Sequence, residues 1–203
     1  MKLTFDNLEY EKKYLLQGKR YIAGVDEVGR GPLAGPVTVC AVVMPLDGQS
    51  IISGVTDSKK LSAKKREFFC EMIKERALAY KVVSLPPEYI DEVNILNATK
   101  EAMKMAIAEL TVVPDIALID AVNIPAVCQV ESIIKGDLLS YSISCASVVA
   151  KVTRDKIMDD YALLYPQYAF EKNKGYGTAA HIAAIKEYGI TPIHRRTFVK
   201  NFI

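Results

Sequence analysis

The sequence predicts a mixed α/β fold, in which a central five-stranded sheet is flanked by helices and followed by a helical C-terminal segment. Two apolar runs near the start are separated by a short link rich in glycine and proline, which is typical of antiparallel strands. Farther on, segments with helical spacing of apolar residues alternate with short apolar runs. Strands that come first and then alternate with helices favour a sheet with both parallel and antiparallel pairs.

The pattern of apolar residues predicts where the strands lie along the sequence. Residues 4–17 have the pattern of a short amphipathic helix that precedes the sheet. The second strand is apolar throughout, so we expect it to be buried on both faces. Pro86 and Pro87 end the third strand. The five strands are predicted at residues 21–26, 37–44, 81–85, 115–120 and 127–134.

Four helices are predicted after the first two strands. Ser62 is of a residue type that caps helix N-termini, and apolar residues recur after it at helical spacing. Those apolar residues are Phe68, Phe69, Met72, Ile73 and Leu78. The other helices are predicted at residues 98–110, 142–164 and 178–188, the last of them ended by Gly189.

Size and composition predict one globular domain over residues 1–203, with residues 1–20 as its lead-in and about 142–203 as its helical part. Half of the 203 residues are hydrophobic and a quarter are charged, as in proteins with a sizeable core. The polar start lacks the pattern of a signal peptide, and no apolar run reaches the ~20 residues that span a bilayer. We expect no membrane partner, and a monomer.

The cysteines indicate the redox compartment of the protein, and the charges bear on whether it binds nucleic acid. The four cysteines, Cys40, Cys70, Cys128 and Cys145, are scattered among apolar residues without the spacing of a zinc site or a disulfide framework. They predict buried thiols in a reducing compartment, the cytoplasm. The net charge of +2 does not by itself indicate nucleic-acid binding. Basic clusters at residues 59–60, 64–66, 172–174 and 195–196 fit either nucleic-acid contacts or solvated helix faces.

The most informative residues follow the first predicted strand. The strand ends in two adjacent carboxylates, Asp26 and Glu27, and the turn Gly29-Arg30-Gly31 comes next. Acidic residues at the end of a buried strand are costly unless a cation neutralises them. Glycine lets a ligand approach the backbone closely. The segment therefore predicts a metal site beside a polar ligand, with phosphate chemistry as its natural use.

Acidic residues also lie at or just after the ends of two other predicted strands. Asp120 closes the fourth strand, and Asp137 follows the fifth in a Lys-Gly-Asp turn. A single acidic residue at a strand end is commonly a helix cap or a turn residue. Because acidic residues recur at several strand ends, the sequence predicts a shared site. These oxygen donors favour Mg²⁺ or Mn²⁺ over Zn²⁺, and their mutual repulsion predicts raised pKa values. Two such ions about 3.5–4 Å apart can activate a water and stabilise a leaving oxygen in phosphoryl displacement.

Strand geometry complicates a shared site for adjacent acidic residues. Consecutive residues of a strand point to opposite faces of the sheet. Asp26 and Glu27 can therefore serve one site only if the strand breaks at Glu27, or if Glu27 acts partly through its backbone carbonyl. Gly29 and Gly31 favour such a break.

Several motifs occur in one order between about residue 21 and residue 198. They are DEVGRGPLAGP (26–36), DSKKLS (57–62), LID (118–120), KGD (135–137), ASVVAKVTRD (146–155), NKGYGT (173–178) and HRRTF (194–198). Together they resemble bacterial ribonuclease HII, the type 2 ribonuclease H. The related ribonuclease HIII has an extra N-terminal domain and usually a lysine at the middle of the glycine turn, where this sequence has Arg30.

The resemblance implies an RNase H-like fold and a metal-dependent endonuclease. Such enzymes cut the RNA strand of RNA–DNA hybrids and cut 5′ to single ribonucleotides in duplex DNA, leaving 3′-hydroxyl and 5′-phosphate ends. The implied cofactor is Mn²⁺ or Mg²⁺, with two ions in the active complex. The implied partners are the RNA–DNA hybrid and the ribonucleotide-containing DNA duplex. The resemblance does not identify a replication or transcription protein as a further partner. The apolar tail at residues 198–203 either docks such a partner or packs on its own domain.

The resemblance also assigns roles to residues. Its catalytic metal ligands would be Asp26, Glu27, Asp120 and Asp137. The turn Gly29-Arg30-Gly31 would read the ribose 2′-hydroxyl, and Tyr176 would stack on the sugar of the next deoxynucleotide. A 2′-hydroxyl distinguishes RNA from DNA at one position. The guanidinium of Arg30 can donate two parallel hydrogen bonds to the adjacent phosphate. An ordinary half-buried tyrosine is the alternative for Tyr176.

Four further residues are weaker candidates for substrate binding. Ser58 and Lys59 are placed to meet phosphates, but Asp57-Ser-Lys also has the pattern of a turn before a helix. Ser147 and Lys151 lie one helical turn apart, so both could face the duplex. Asp155 is expected to be a structural partner of Arg154 or of another nearby basic group.

Two other functions share some of these features. A different nuclease or strand-transfer enzyme could have the same fold and acidic residues without the glycine turn and Tyr176. A non-catalytic nucleic-acid-binding module would retain the basic clusters without depending on the acidic residues. Cleavage of a duplex with one ribonucleotide, with and without Mg²⁺ or Mn²⁺, separates these possibilities.

Overall fold

The computed structural model describes residues 7–203, so the beginning of the predicted lead-in helix lies outside the described residues. Five strands form one sheet in the order β3-β2-β1-β4-β5. The pairs β1–β2 and β2–β3 are antiparallel, and the pairs β1–β4 and β4–β5 are parallel, which confirms the predicted mixed sheet. The strands are β1 (Ile22–Val28), β2 (Val37–Val43), β3 (Ala79–Leu85), β4 (Ile116–Asp120) and β5 (Gln129–Ile133).

Helices cover the two faces of this sheet and form the C-terminal part. The helices are α1 (Glu9–Leu16), α2 (Ala63–Arg76), α3 (Pro87–Val93), α4 (Ile95–Ala108), α5 (Gly136–Leu139), α6 (Tyr141–Leu164), α7 (Phe170–Asn173), α8 (Ala179–Tyr188) and α9 (Arg196–Val199). One buried cluster joins the sheet to α4, and another joins it to α2 and α6. In the part of the chain that the structure describes, no helix combines the length and the apolar character needed to cross a membrane.

The alternation of side chains along β1 separates the two faces. Ala23 and Val25 pack in the cluster with α4, while Ile22 packs on the other face with Ile143 of α6. Gly24 also lies on the α6 face. A Cβ atom placed on it would lie 2.0 Å from the backbone carbon of Ser142. Only glycine lets the backbone of α6 come this close to the central strand.

Ser62 caps its helix and Gly189 ends its helix, as predicted, while the structure adds two N-terminal caps that were not predicted, Thr178 and Ser140. The side chain of Ser62 accepts a hydrogen bond from the Lys65 N–H at the start of α2. Thr178 caps α8 by accepting from the His181 N–H, and Gly189 ends that helix with φ at +79°. At α6, Ser140 is the cap and accepts from the Ile143 N–H.

Two local predictions were wrong. Helix α3 was missed because Pro86-Pro87 was interpreted as a stop for β3, whereas Pro87 also begins the helix. Proline suits the first turn of a helix, where its missing N–H has no partner to lose. Helix α2 buries Cys70 and Ile73, but Phe68 is 61% exposed and Leu78 lies beyond the helix end, so its core-facing stripe is narrower than predicted.

All four cysteines are free thiols, as predicted. Cys40, Cys70 and Cys145 are buried, and burial raises the pKa of each of these thiols. Cys128 is only half-buried, because it immediately precedes the edge strand β5.

The C-terminal tail packs on its own fold. Val199 is buried in a cluster that also contains Leu33, Tyr168 and Phe170. Phe198 and Phe202 pack against that cluster as partly buried residues. Of the two alternatives for the tail, the described contacts up to Phe202 correspond to packing on its own domain.

A buried histidine pair ties this cluster together. The Thr191 N–H donates to His194 Nδ1 at 2.9 Å, so a neutral His194 carries its proton on Nε2. That nitrogen lies 3.0 Å from His181 Nε2, and His181 Nδ1 lies 2.9 Å from the carbonyl oxygen of Tyr176. One pair of tautomers satisfies all three bonds, with both rings neutral and each proton donated toward Tyr176. Protonation of either ring would break one bond.

We expect this pair to make the fold sensitive to acid. Burial lowers the pKa of both histidines, and the neighbouring ring helps to bring the pKa of His194 to about 4. The unfolded chain, with a histidine pKa of about 6.5, therefore binds protons first. The stabilisation is present above that pH and is lost as the pH falls toward 4. A loss of about 1–2 kcal/mol between pH 7.5 and pH 5 is expected from the pair.

The measurement is urea unfolding at several pH values for the natural protein and for the His181→Gln/His194→Gln double variant. The difference between the two removes the contribution of the carboxyl groups, which titrate in the same range. The natural protein should lose more stability on acidification than the double variant. Parallel pH profiles would contradict this role of the histidines.

Candidate active site

Two of the predicted acidic residues lie at the carboxyl ends of neighbouring parallel strands. The pairing of β1 with β4 ends at Val25 and Ile119, so Asp26 and Asp120 come next on each strand. Parallel strands lie about 4.8 Å apart, and both side chains lie on the α6 face by alternation. This edge, beyond the carboxyl ends of the strands, is where open α/β sheets bind ligands.

Asp137 is brought to the same place by a backbone contact. The Gly136 N–H donates to Asp120 Oδ1 at 2.7 Å, which ties the beginning of α5 to the end of β4. Asp137 is the next residue and is buried. The Nζ atom of Lys59 lies 3.8 Å from Asp137 Oδ2, so a basic side chain already neighbours the acidic residues.

Glu27 joins the group from the opposite face of β1, and the expected break in the strand is absent. The strand continues to Val28, because Glu27 pairs with Val39 of β2 and Val28 pairs with Thr38. By alternation, the Glu27 side chain points away from the α6 face that holds Asp26. Its Oε1 atom lies 3.5 Å from Arg30 Nη1. Its buried Oε2 atom has no hydrogen-bond partner among the described residues.

The acidic residues perturb one another electrostatically. Burial raises the pKa of Asp26 well above its usual value, and the Glu27 and Asp120 charges raise it further. Burial and the Asp120 charge also raise the pKa values of Glu27 and Asp137. Hydrogen bonding from Ser147 lowers the pKa of Asp26, while Arg30 and Lys59 lower those of Glu27 and Asp137. Excess negative charge therefore gathers at this edge of the sheet.

The donor set fits a hard divalent cation. All four candidates supply carboxylate oxygens, and Glu27 Oε2 is buried without a partner. Within residues 7–203, no three histidine, cysteine or acidic side chains already form a group arranged to hold a metal ion. The residues thus have the right chemistry and a common location, and side-chain movement would have to complete a coordination shell.

The glycine turn lies directly beside Glu27. Gly29 has φ at +93°, and a Cβ atom placed on it would lie 2.2 Å from Arg154 Nε. A Cβ atom placed on Gly31 would lie 3.7 Å from Cε1 of Tyr176. The half-exposed Tyr176 ring therefore lies across from the turn, although residues 29–31 and 176 are far apart in sequence. The structure brings these predicted residues together.

The weaker candidates divide into supporting and exposed residues. Ser58 and Ser147 are both buried, and their Oγ atoms lie 2.9 Å apart, behind Asp26. Asp57 accepts from the Lys59 N–H at 2.9 Å and begins a short 3₁₀ helix, so the predicted alternative of a turn is present. The Lys59 side chain is 81% exposed.

Lys151 is engaged by a neighbour on its own helix. Its ammonium group pairs with the carboxylate of Asp155, and Arg66 Nη2 lies 4.0 Å from that carboxylate. Asp155 is therefore the partner of nearby basic groups, as predicted. Because Ser147 is buried against Ser58, it does not face outward beside Lys151.

Sequence reasoning missed two buried arginines beneath the turn. The guanidinium groups of Arg154 and Arg195 donate to backbone carbonyl groups of residues 29–36 and of Lys174. For Arg154 a signal existed, since Ala150, Arg154 and Met158 recur every four residues on the buried stripe of α6. Arg195 had been included in a basic surface cluster, and no local pattern marks it as buried.

Comparison with known proteins agrees with this arrangement. A family profile described as Ribonuclease HII matches residues 23–201. Ribonuclease HII of Ruminiclostridium cellulolyticum is 53% identical over 197 residues, which are 97% of this chain and 76% of that protein. Ribonuclease HII of Caldicellulosiruptor saccharolyticus is 52% identical over 206 residues, with 100% of both chains covered.

The fold agrees as well. The crystal structure of ribonuclease H2 from Pyrococcus horikoshii OT3 superposes with a TM-score of 0.77 at 27% identity, covering 90% of this chain and 96% of that chain. The RNase H-like fold is thereby confirmed. The chain therefore belongs to the ribonuclease HII family and is a ribonuclease H, a nuclease that acts on RNA–DNA hybrids.

Proposed function

We propose that this enzyme, besides cutting the RNA strand of hybrids, cuts 5′ to single ribonucleotides embedded in duplex DNA and leaves 3′-hydroxyl and 5′-phosphate ends. The observation that carries the proposal is the position of the Tyr176 ring opposite Gly31, beside the acidic residues. A glycine turn that can approach a ribose and a ring that can pack on the next sugar lie on either side of one gap. This arrangement suits a junction between a ribonucleotide and a deoxynucleotide.

The four acidic residues are the proposed ligands of the divalent cofactor, Mg²⁺ or Mn²⁺, with two ions in the active complex. When bound, such ions activate a water and stabilise the leaving oxygen of the phosphodiester. The chain prepares the carboxylates for this role. Ser147 lowers the pKa of Asp26 and so favours its charged form, and the Gly136 N–H donates a hydrogen bond to Asp120. Glu27 brings a free buried oxygen from the opposite face of the strand.

Recognition of the ribose is the proposed role of residues 29–31. A 2′-hydroxyl both donates and accepts a hydrogen bond, and it is the group that distinguishes ribose from deoxyribose. Because Gly31 has no side chain, the sugar can reach the backbone there. The half-exposed guanidinium of Arg30 can bind the adjacent phosphate through two parallel hydrogen bonds.

The Tyr176 ring is proposed to select the next sugar. Packing of an aromatic face on a deoxyribose would be crowded by an added 2′-hydroxyl. Lys59 and Lys151 are proposed phosphate contacts, and Ser58 and Ser147 would support the acidic residues from behind. We further propose that residues 1–203 act as one monomeric domain on the hybrid or duplex substrate.

We predict that Asp26→Asn abolishes most of the cutting. The natural enzyme should cut a duplex with one ribonucleotide on its 5′ side when Mg²⁺ or Mn²⁺ is present. The variant should be slower by at least about 100-fold, more than the usual cost of an outer-shell partner of a metal. Asp160→Asn, an exposed residue on α6, is the matched control. Undiminished cutting by Asp26→Asn would contradict the assignment of Asp26.

The same variant offers a metal-free measurement. Burial raises the pKa of Asp26 in the folded state, so the charge of Asp26 costs stability at neutral pH. In EDTA, Asp26→Asn should raise the Tm by about 2–4 °C for each ~1 kcal/mol of relieved repulsion. Duplex binding should be retained. A lower Tm together with lost binding would indicate damage to the fold, not loss of a ligand.

We predict that Arg30→Ala impairs cutting at a single ribonucleotide by about 10- to 100-fold, because it removes charge-assisted hydrogen bonds to phosphate. Arg30→Lys keeps the charge but not the planar fork, so it should restore only part of the rate. Single-turnover kinetics on the duplex with one ribonucleotide provide the measurement. Unchanged rates in Arg30→Ala would remove Arg30 from substrate recognition.

We predict that Tyr176→Ala loses more activity at an isolated ribonucleotide than within a long hybrid. The ring has a deoxyribose neighbour in the first substrate and a ribose neighbour in the second. The expected loss at the junction is about 10-fold or more, comparable with the loss of an aromatic stacking platform. Tyr176→Phe keeps the ring and should stay close to the natural enzyme. Equal losses on both substrates would speak against selection of the next sugar.

A further inference from the structure

Arg195 lies beneath the glycine turn with its side chain fully buried. Its Nε atom donates to the Gly35 carbonyl oxygen at 3.0 Å, and its Nη1 atom donates to the Arg30 carbonyl oxygen at 3.0 Å. Its Nη2 atom donates to the Gly29 carbonyl oxygen. One planar guanidinium thus holds two successive peptide groups of the turn and its far end.

These bonds determine where the amide groups of the turn point. No peptide bond within residues 7–203 is cis, and in a trans peptide the C=O and N–H bonds point in opposite directions. With the Gly29 and Arg30 carbonyls directed inward, the N–H groups of Arg30 and Gly31 are directed outward. Neither N–H donates to an acceptor within residues 7–203. Two consecutive outward N–H groups form a small site for an electron-rich oxygen.

Among the described residues no carboxylate forms a salt bridge with Arg195, although the more distant Asp91 charge raises its pKa. In the described part of the chain its hydrogen bonds go to backbone carbonyls, and the second buried arginine, Arg154, does the same with the Ala34, Pro36 and Lys174 carbonyls. Burial and the Arg154 charge lower the pKa of Arg195 to about 9, so the group is still charged at neutral pH. A buried charge is costly unless its donors are satisfied, which here requires this conformation of the turn.

We propose that Arg195 is a positioning residue for ribose recognition: it fixes the Gly29 and Arg30 carbonyls inward and thereby presents the Arg30 and Gly31 N–H groups to the 2′-hydroxyl and the adjoining phosphate. The proposal depends on the proposed role of residues 29–31. It separates the residue that shapes the turn from the residues that touch the sugar. Arg154, which supports the later part of the turn, does not bond the Gly29 or Arg30 carbonyl.

The test measures discrimination between sugars, which a merely structural role would not change selectively. All variants carry Asp26→Asn so that the substrate stays intact. Dissociation constants are measured for a duplex with one ribonucleotide and for the all-DNA duplex of the same sequence. The ratio of the two constants is compared for the parent, Arg195→Lys and Arg195→Ala. Arg196→Lys, at the exposed neighbouring position, is the matched control.

The expected result is a selective loss. In Arg195→Lys, the compact ammonium lacks the planar fork that holds the Gly29, Arg30 and Gly35 carbonyls in one geometry, and the ratio should fall at least about 10-fold while affinity for the all-DNA duplex changes by less than about 2-fold. Arg196→Lys should keep the ratio of the parent. For Arg195→Ala, guanidinium chloride at millimolar concentration should restore the ratio, whereas NaCl at equal ionic strength should not. If Arg195→Ala fails to fold, Arg195→Lys carries the test.

The experiment distinguishes a failure of the proposed ribose recognition from a failure of the proposed role of Arg195. A parent protein that binds the two duplexes equally would overturn the proposed ribose recognition itself. A discriminating parent with an unchanged ratio in Arg195→Lys would overturn the role of Arg195. Equal weakening of both duplexes would also overturn it, because the effect would then be a general disturbance. Failure of guanidinium to restore a folded Arg195→Ala would likewise count against positioning by this group.

Discussion

The close approach of α6 to β1 at Gly24 is the contact on which the site depends. Helix α6 has 24 residues, or about 36 Å of helix, and it crosses the central strand where a side chain would collide with its backbone. From this position it directs Ser147 toward Asp26 and Arg154 to the turn, and the short helix α5, which carries Asp137, comes just before it. Farther along, Met158 enters the C-terminal cluster. One helix therefore aligns the acidic edge of the sheet with the turn.

The site also brings two kinds of costly charge close together. Carboxylates gather at the ends of β1 and β4, where burial and mutual repulsion raise pKa values. Beneath the adjacent turn, two arginines are buried against carbonyl oxygens instead of carboxylates. The two groups form no direct salt bridge with each other, since within residues 7–203 the hydrogen bonds of both arginines go to backbone carbonyl groups. In the part of the chain that the structure describes, the fold leaves Glu27 Oε2 and the Arg30 and Gly31 N–H groups without partners, as the proposed cation and substrate contacts require, at a cost in stability.

The sequence was sufficient for features that depend on local patterns. The apolar strands ending in Asp26 and Asp120 predicted the common location of the two carboxylates, whereas the parallel pairing of these strands was seen only in the structure. Ser62 and Gly189 marked helix ends because capping is chemistry between near neighbours. The glycines at 29 and 31 predicted a turn open to a ligand. The roles carried over by family resemblance, such as that of Tyr176, remain proposals.

Features that depend on distant contacts were not predictable in this way. The strand was predicted to end at Asp26, and a break at Glu27 was one of two ways for Glu27 to serve the site, yet pairing with β2 keeps the strand extended to Val28. Arg195 was taken for part of a surface cluster, because nothing near it in sequence shows that residues 29, 30 and 35 surround it. Phe68 was expected in the core, but only one narrow face of α2 meets the sheet side. In each case tertiary partners overrode the local pattern.

The bond between Arg195 and Gly29 joins residues separated by 166 positions. During synthesis, the strands that carry Asp26 and Asp120 leave the ribosome well before the segment that supports the turn. A nascent chain can thus assemble its acidic sheet edge while the backbone that faces the sugar is still unsupported. The entropy of loop closure makes contacts of such long range slow to form. The proposed recognition of the ribose can therefore develop only after Arg195 has been synthesised and has reached the carbonyl groups of the turn.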